Sequence, residues 1–593
     1  MLFATKSLLP TLAKAKIPNS SQFAYQQNKS CITASFVLQE AISHYIERGS
    51  KVYCCFLDTS KAFDTVWIDG LFYKLFNAGV QGKAWRLLYN WYSKLLSCVK
   101  HCDLISSIFP VLQGVRQGGV LSPWLFLIYN NDIPEALNHS SDGLLVGSST
   151  CDSVLVADDV ALLSSRVNGL QRMITAMETY SRLWRFAFNV SKTKIVTFGE
   201  TTRSWKLNKS NRKWILDDLH IEESEDYTHV GIKISGNFSS MNRTMEMAKK
   251  GREVVASIMS TGIRPGGINP IIGANVWLTI GLPRMLYGCE LWSNLTKTEV
   301  DILNRTHRFA SKRIQGLGPR TKSEATIGSI GLWSIEGYVN KRKLLFFGNL
   351  CRAESTSLHK HVLLQRLFSF LYGCAQKALG FIPDIYRLLI QYDLVHWIDE
   401  FLLHQQFPSK LHWKKIVIEK IEEAEANAWR LGISSKPELE IYGYAHQNLQ
   451  PLSLWKTAKR NSYAIKPIAN LVNILCGNVP SALIMAVTEH TNNYSCDFCG
   501  RITSNIAKHF IMDCQLVSVE RNKMLDDLHD NLHISTCAAL WNQDDIDIYS
   551  CLIGGYTPLQ NITEEENDKY IITTAIGVLK MMNEVLRALI RKR

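Results

Sequence analysis

The stretch 153–164, Ser-Val-Leu-Val-Ala-Asp-Asp-Val-Ala-Leu-Leu-Ser, constrains the fold of this chain more than any other. Its two apolar runs, 153–157 and 160–164, are too short for helices and are separated only by Asp158 and Asp159. That pattern predicts a β-hairpin with both acids at its tip. Residues 51–58, KVYCCFLD, predict a buried strand that also ends on an acid, Asp58. If these strands are neighbours in one sheet, three carboxylates converge at one edge. Such a cluster repels itself unless a cation lies between its members. Oxygen-only ligands suit Mg2+, which fills its other positions with water and substrate phosphates. Two such ions recur in the in-line phosphoryl displacements of polymerases and nucleases. The plainer alternative is a pair of turn aspartates, since Asp favours turns on its own account.

The neighbouring segments supply helices for such a sheet. Residues 66–79 and 82–96 carry helical periodicity, with Trp85, Leu88, Tyr92 and Leu95 on one face. Residues 113–119, QGVRQGG, form a glycine-punctuated loop. A helix is expected behind it, with Ser122 as its cap and Pro123 in its first turn. Another helix is expected over 168–187 and a strand over 194–198, KIVTF. From about residue 240 the pattern turns mostly helical, so the fold class expected is α+β.

A hydrophobic content of 46% against 20% charged residues excludes disorder over most of the chain. The 593 residues leave room for several domains. Lys and Arg outnumber Asp and Glu by 66 to 53, a net charge of +13 that suits a polyanionic partner such as nucleic acid or an anionic membrane surface. Basic clusters recur at Lys249-Lys250 with Arg252, from Arg305 to Arg313, and at Lys341-Arg342-Lys343. Each alone reads more readily as a solvated helix face; their recurrence raises the nucleic-acid reading. No apolar run reaches a membrane span, the longest being Pro270 to Leu282 and Ser481 to Val487, so a membrane protein is not expected. Fifteen scattered cysteines predict reduced thiols and an intracellular site. The first 39 residues hold Lys6, Lys14, Lys16 and Lys29 and no acid. A basic segment facing nucleic acid is preferred there to a mitochondrial presequence.

Near the end, Cys496, Cys499, His509 and Cys514 give the spacing C-x2-C-x9-H-x4-C. Two cysteines in a tight turn, then His and Cys about one helical turn apart, can close a tetrahedral Zn2+ shell. Gly500 suits the chelating turn. The alternative is a chance grouping in a cysteine-rich chain.

Several motifs in one order carry a resemblance. Phe56 to Asp64, FLDTSKAFD, resembles the first catalytic motif of the reverse transcriptases of non-LTR (LINE-like) retrotransposons. Gln113 to Phe126, QGVRQGGVLSPWLF, resembles the second, and Val156-Ala157-Asp158-Asp159 the third, with Val156 where an aromatic residue is usual. Phe188 to Phe198, FNVSKTKIVTF, resembles the fourth, and Tyr227 to Ile232 the turn that follows, with Val230 replacing leucine. The match covers about residues 20–235. More loosely, 282–292, LPRMLYGCELW, resembles the thumb region, as do Gly331-Leu332 and Lys341-Arg342-Lys343.

The resemblance implies an incomplete right-hand polymerase. Partial fingers and palm would occupy 1–235, a helical thumb 236–350, a helical region without a role 351–480, and a region with the zinc candidate 481–593. It implies Asp58 and Asp158 as direct Mg2+ ligands and Asp159 as a supporting carboxylate. Phe63 would be a gate against the ribose 2′-hydroxyl. Gln117 and Gly118 would border the nucleotide and template, and Lys192 (alternatively Lys194) would lie near the triphosphate. The zinc site would be structural, with a role in handling nucleic acid. The implied activity is RNA-directed DNA polymerisation, with an RNA template, a DNA primer or target and dNTPs as partners and two Mg2+ ions and Zn2+ as cofactors. The resemblance begins at Ser21-Gln22-Phe23 without the leading strand of the fingers or an apurinic-type endonuclease pattern, so an element truncated at its front, or a gene model that starts late, is expected. The alternative is a catalytically inactive nucleic-acid-binding remnant. An organellar intron maturase-like protein rests only on the acid-free N-terminus. Nucleus or cytoplasm is the expected location, with the mitochondrion as alternative.

Overall fold

The computed structural model describes residues 8–137, 142–237, 240–263, 266–293, 295–373, 378–490, 493–554 and 563–592. The chain condenses into two compact units. The first comprises Met1–Arg243, Gly288–Leu295 and Arg342–Lys414, and the second Thr244–Tyr287, Thr296–Lys341 and Lys415–Arg593.

The first long helix of the first unit is α1 (Cys31–Ile46), entered through a capping box in which Ser30 and Thr33 satisfy each other's backbone N–H. Strand β1 (Val52–Leu57) follows, then helices α2 (Ile68–Asn77), α3 (Gly82–Ser93) and α4 (Ser122–Tyr129). Next come the hairpin β2 (Ser153–Val156) and β3 (Asp159–Ser164), helix α5 (Val167–Leu183), and strands β4 (Lys194–Phe198) and β5 (Glu222–Ser224). The sheet order is β5-β4-β1-β3-β2, with β1 central and antiparallel to both β4 and β3. Every residue of β1 is buried, so both faces of the sheet are covered there. Aromatic and β-branched residues suit that place on the pleated sheet.

Two local expectations shift by one residue. The hairpin pairs Val156 with Asp159, so the turn is Ala157-Asp158 and Asp159 opens β3. Ala157 makes this possible by taking φ +57°, the conformation of the first central residue of a type II′ hairpin turn. Ser122 is the first residue of α4 rather than its cap. Leu121 stands before it in helical conformation with no side-chain cap.

Buried charges tie the unit together. Lys74 of α2 donates to the Tyr129 carbonyl, to Asp132 (2.6 Å) and to the Tyr180 hydroxyl (2.8 Å), and lies 3.5 Å from the Trp184 ring centroid. Burial pulls its pKa down to about 8, against the opposing charge of Asp132. Arg366, in the helix Leu358–Tyr372, is buried between Glu40 at 2.8 Å and Glu47 at 2.5 Å. This pairing joins residues beyond 341 to the same core as α1. Lys343 is also buried, with its ammonium on Asp384 and the Trp292 carbonyl. The triplet at 341–343 is therefore not a solvated basic face at its third position.

The second unit is mostly helical. Its helix Lys297–Gln315 starts in a Thr296–Glu299 capping box and stops at Gly316, φ +72°. His307 on that helix is fully buried. Its Nδ1 accepts from the Trp277 indole at 3.0 Å, and its Nε2 faces the Trp333 carbonyl. The helix Glu564–Lys592 packs on Ile465–Leu475 and Ser518–Asn531. Among the described residues no helix is long and apolar enough to cross a membrane.

Candidate active site

Asp58 is the first residue past β1, and Leu57 pairs with Val160. Continuing that antiparallel register sets Asp58 opposite Asp159, with Asp158 beside them in the turn. The end of β1 is held from both sides. The Asp58 N–H donates to Thr193 Oγ1 at 3.3 Å, and its carbonyl accepts from the Asn189 N–H at 2.7 Å. The Thr59 hydroxyl donates to the Asp158 carbonyl at 3.3 Å. The acids feel each other. Burial first, and then the charge of Asp58, raise Asp158 above the ordinary carboxylate range. Burial, then Asp158 and Asp58, raise Asp159 to about 6. A cation among them would remove that penalty.

These groups open onto a cavity of about 460 Å³ lined by Asp58, Thr59, Ser60, Lys61, Ala62, Phe63, Gln117, Asp158, Asn189 and Lys192. Phe63 stacks on Phe126, with ring centroids 4.6 Å apart and planes 13° apart. The glycine loop is pinned against this wall. Gly114 N–H donates to the Val66 carbonyl and Val115 N–H to the Phe63 carbonyl, both at 2.8 Å. Gly114 has φ +92°, and a Cβ there would lie 2.9 Å from the Asp64 carbonyl oxygen, so only glycine fits. Gln117 donates to Asp64 at 3.2 Å. Gly118 has φ +81° with open space around it. Lys192 reaches within 3.8 Å of Asp58 and is otherwise exposed. Lys194 is engaged by Glu222 at 2.7 Å and the Ser191 carbonyl, so of these two lysines it is Lys192 that joins Lys61 in lining the cavity.

The structure thus brings together Asp58, Asp158, Phe63, Gln117 and Lys192. Asp159 and Gly118 stand beside the cavity rather than in its lining. Asn189, Lys61 and Phe126 belong to the site although only their motifs, not their roles, were legible.

The reverse transcriptase (RNA-dependent DNA polymerase) family profile matches residues 4–234, the span that builds this sheet and cavity. Residues 4–234 form a reverse transcriptase domain. The RNA-directed DNA polymerase from the mobile element jockey of Drosophila melanogaster is 24% identical over 265 residues, 44% of this chain and 28% of that protein. The probable RNA-directed DNA polymerase from transposon X-element of the same fly is 21% identical over 321 residues, 53% of this chain and 34% of the relative. That from transposon BS is 22% identical over 368 residues, 60% and 38%. The chain therefore spans only about a third of the length of the curated relatives it matches. Their names agree with the non-LTR resemblance of the motifs. Among solved structures, telomerase from Candida Tropicalis in complex with a TWJ fragment of telomeric RNA is similar over 70% of this chain and 57% of that one, with 12% identity and a TM-score of 0.31.

Outside the reverse transcriptase domain, the second unit gathers the four Cys and His residues. Cys496 ends a strand of a small three-stranded sheet, and Cys499 lies in the turn that follows. That turn closes through Gly500, φ +71°, whose N–H donates to the Cys496 carbonyl at 2.8 Å. His509 and Cys514 bracket one wide helical turn, with the Cys514 N–H on the His509 carbonyl. The four ligand atoms lie within 4.8 Å of one another. Cys496 and Cys514 sulfurs are 3.9 Å apart, and Cys499 Sγ is 3.4 Å from His509 Nε2. The edges of a tetrahedral zinc shell with ordinary bond lengths are about 3.5–3.8 Å, so the donor set fits that ion. Arg521 braces the cluster by donating to the Ile511 carbonyl at 2.9 Å and to that of Cys514.

Proposed function

We propose that this chain is an RNA-directed DNA polymerase of a mobile element, extending a DNA primer on an RNA template with dNTPs. One observation carries the reading. Within a reverse transcriptase domain, Asp58 and Asp158 line one cavity together with an aromatic ring and a lysine. In this reading Asp58 and Asp158 hold magnesium directly and Asp159 supports them. Magnesium held there supplies the Lewis acidity that favours an ionised primer 3′-hydroxyl and offsets charge on pyrophosphate.

The chain's own groups do the rest. Phe63, backed by Phe126, fills the space a ribose 2′-hydroxyl would need, a steric form of discrimination. Lys192 exchanges its contact with Asp58 for the triphosphate, where a fixed cation offsets charge as it develops. Gln117 and Gly118 border the nucleotide and template on the glycine loop. Residues 1–235 act as partial fingers and palm. Residues 236–350 act as a thumb that grips phosphates without sequence preference, and 351–480 remain without an assigned role. In 481–593, Cys496, Cys499, His509 and Cys514 hold a structural zinc.

The test is primer extension by the purified chain on RNA template with DNA primer, dNTPs and Mg2+, against the double variant Asp158→Ala, Asp159→Ala. Extension lost in the double variant supports the polymerase. No extension by the unaltered chain, with salt-sensitive RNA binding retained, makes the binding remnant the better account.

A further inference from the structure

Gln22 belongs to none of the roles assigned above, yet it is almost fully buried, at 3% exposure, beside the catalytic hairpin. Residues 21–23 lie along the outer edge of β2. The Leu155 N–H donates to the Ser21 carbonyl at 2.9 Å, and the Phe23 N–H donates back to the Leu155 carbonyl at 2.8 Å. Between those two bonds the Gln22 side chain points into the turn. Its Oε1 accepts three backbone N–H groups: Phe23 at 3.0 Å, Ala24 at 2.9 Å and Ala157 at 3.0 Å.

Ala157 is the residue on which the position of Asp158 depends. It is buried, precedes Asp158 directly, and holds φ +57°, a conformation an alanine rarely adopts unless its surroundings impose it. Its N–H lies outside the β2–β3 ladder and would be a buried donor without an acceptor if Gln22 were apolar. The other end of Gln22 is fixed as well. Its carbonyl accepts from the Gln26 side chain at 2.6 Å and from Lys29 at 2.8 Å, and its N–H donates to the Asn19 carbonyl at 3.1 Å. Lys29 in turn sits 5.2 Å from the centroid of the Phe23 ring. One residue thus joins the loop 19–29 to a turn 135 positions away.

We infer that Gln22 is a positioning residue that locks the Ala157–Asp158 turn, and through it the Asp158 carboxylate, from the loop Asn19–Lys29. The inference rests on the polymerase reading for its kinetic consequence but not for its structural one. An acceptor oxygen at this place is what the turn requires. Glutamate supplies one with the same shape, and methionine fills the space without one.

The experiment compares the full chain with Gln22→Met and Gln22→Glu by two readouts. The first is steady-state primer extension with dNTP and Mg2+ titrations. The second is amide hydrogen exchange of peptides spanning 153–160. The expected Gln22→Met result is a kcat lowered about 10- to 100-fold, as for a displaced reacting group. The dNTP KM stays nearly unchanged, the Mg2+ requirement rises, and exchange at 153–160 is faster. Gln22→Glu is expected to restore both readouts. Unaltered kcat and exchange in Gln22→Met, or an equal loss in both variants, would overturn the inference. If the unaltered chain extends no primer, the polymerase reading fails, and the exchange comparison still decides on Gln22. If Gln22→Met does not fold, Lys29→Met removes one donor to the Gln22 carbonyl. Faster exchange at 153–160 then supports the lock, and unchanged exchange refutes it.

Discussion

The acidic edge of the five-stranded sheet and the Cys–His cluster near the C-terminus both present groups suited to a cation, and they are built in opposite ways. Asp58 and Asp159 extend two adjacent strands of a buried five-stranded sheet. Their positions follow from β1 and β3, whatever occupies the space between the carboxylates. Cys496, Cys499, His509 and Cys514 come from a short three-stranded sheet, a turn and one wide helical turn. Two or three backbone bonds per strand hold little alone, and small elements of this kind commonly draw their folding energy from the metal. The sheet edge holds like charges together at a cost in stability, whereas a metal bound at the cluster would add stability. A functional cation site and a structural one can therefore be told apart by which side depends on the other.

That contrast is open to attack, beginning with the largest expected effect. Chelating zinc, or Cys514→Ser, should abolish protection of the 487–514 segment from proteolysis and exchange while β1 and β3 keep theirs; structural zinc in small modules is worth about 10–16 kcal/mol. Equal loss in the two regions, or no metal by atomic emission, would break the contrast. Asp58→Asn should lower primer extension by about three orders of magnitude or more, since an essential electrostatic partner is lost. Its thermal midpoint should be unchanged or raised, because a repulsion is relieved. A large fall in midpoint would mean that the acid is structural.

Acid should act on the first unit without any metal. His229 is buried against Phe56, its centroid 5.2 Å away, and burial lowers its pKa to about 4. An unfolded histidine titrates near 6.5, so the unfolded chain binds the extra proton between these values. The neutral ring's contribution is present above about 6.5 and is lost as pH falls toward 4, about 3 kcal/mol in all. His229→Phe should flatten that slope in urea melts of the metal-free chain. An unchanged slope would remove His229 from the account. The smallest expected effect is on substrate choice. Phe63→Ala should relax dNTP over rNTP selection about 10- to 100-fold, and Phe126→Ala should do so less, since it only frees the Phe63 ring. Unchanged selectivity in both would deny the ring its role as a gate.

Much of this was legible in the residues. Short uninterrupted apolar runs ending on Asp58 and flanking Asp158-Asp159 foretold the strands and the acids at their ends, because burial on both faces of a short strand leaves a continuous apolar run. The spacing of Cys496, Cys499, His509 and Cys514 foretold their meeting, since all four are close in sequence. What stayed hidden is long-range or depends on burial. Lys343 reads as one of three surface cations, yet it is buried on Asp384, 41 residues on. Gln22 meets Ala157 across 135 residues, and no periodicity marks an amide that caps a distant turn. The one-residue shift of the hairpin turn rests on an alanine accepting a left-handed conformation, which composition argues against.

The Arg366 pairing bears on how the first unit comes into being. Its partners Glu40 and Glu47 leave the ribosome 326 and 319 residues earlier. At about 5–20 residues per second, roughly 16–65 seconds pass before the counter-ion to Glu40 is synthesised. Through that interval Glu40 on α1 and Glu47 just past its end lack the guanidinium that pairs with them in the folded unit. A fragment ending at residue 243 would lack Arg366, Leu379 and Phe381, whose groups satisfy Glu40 and Glu47.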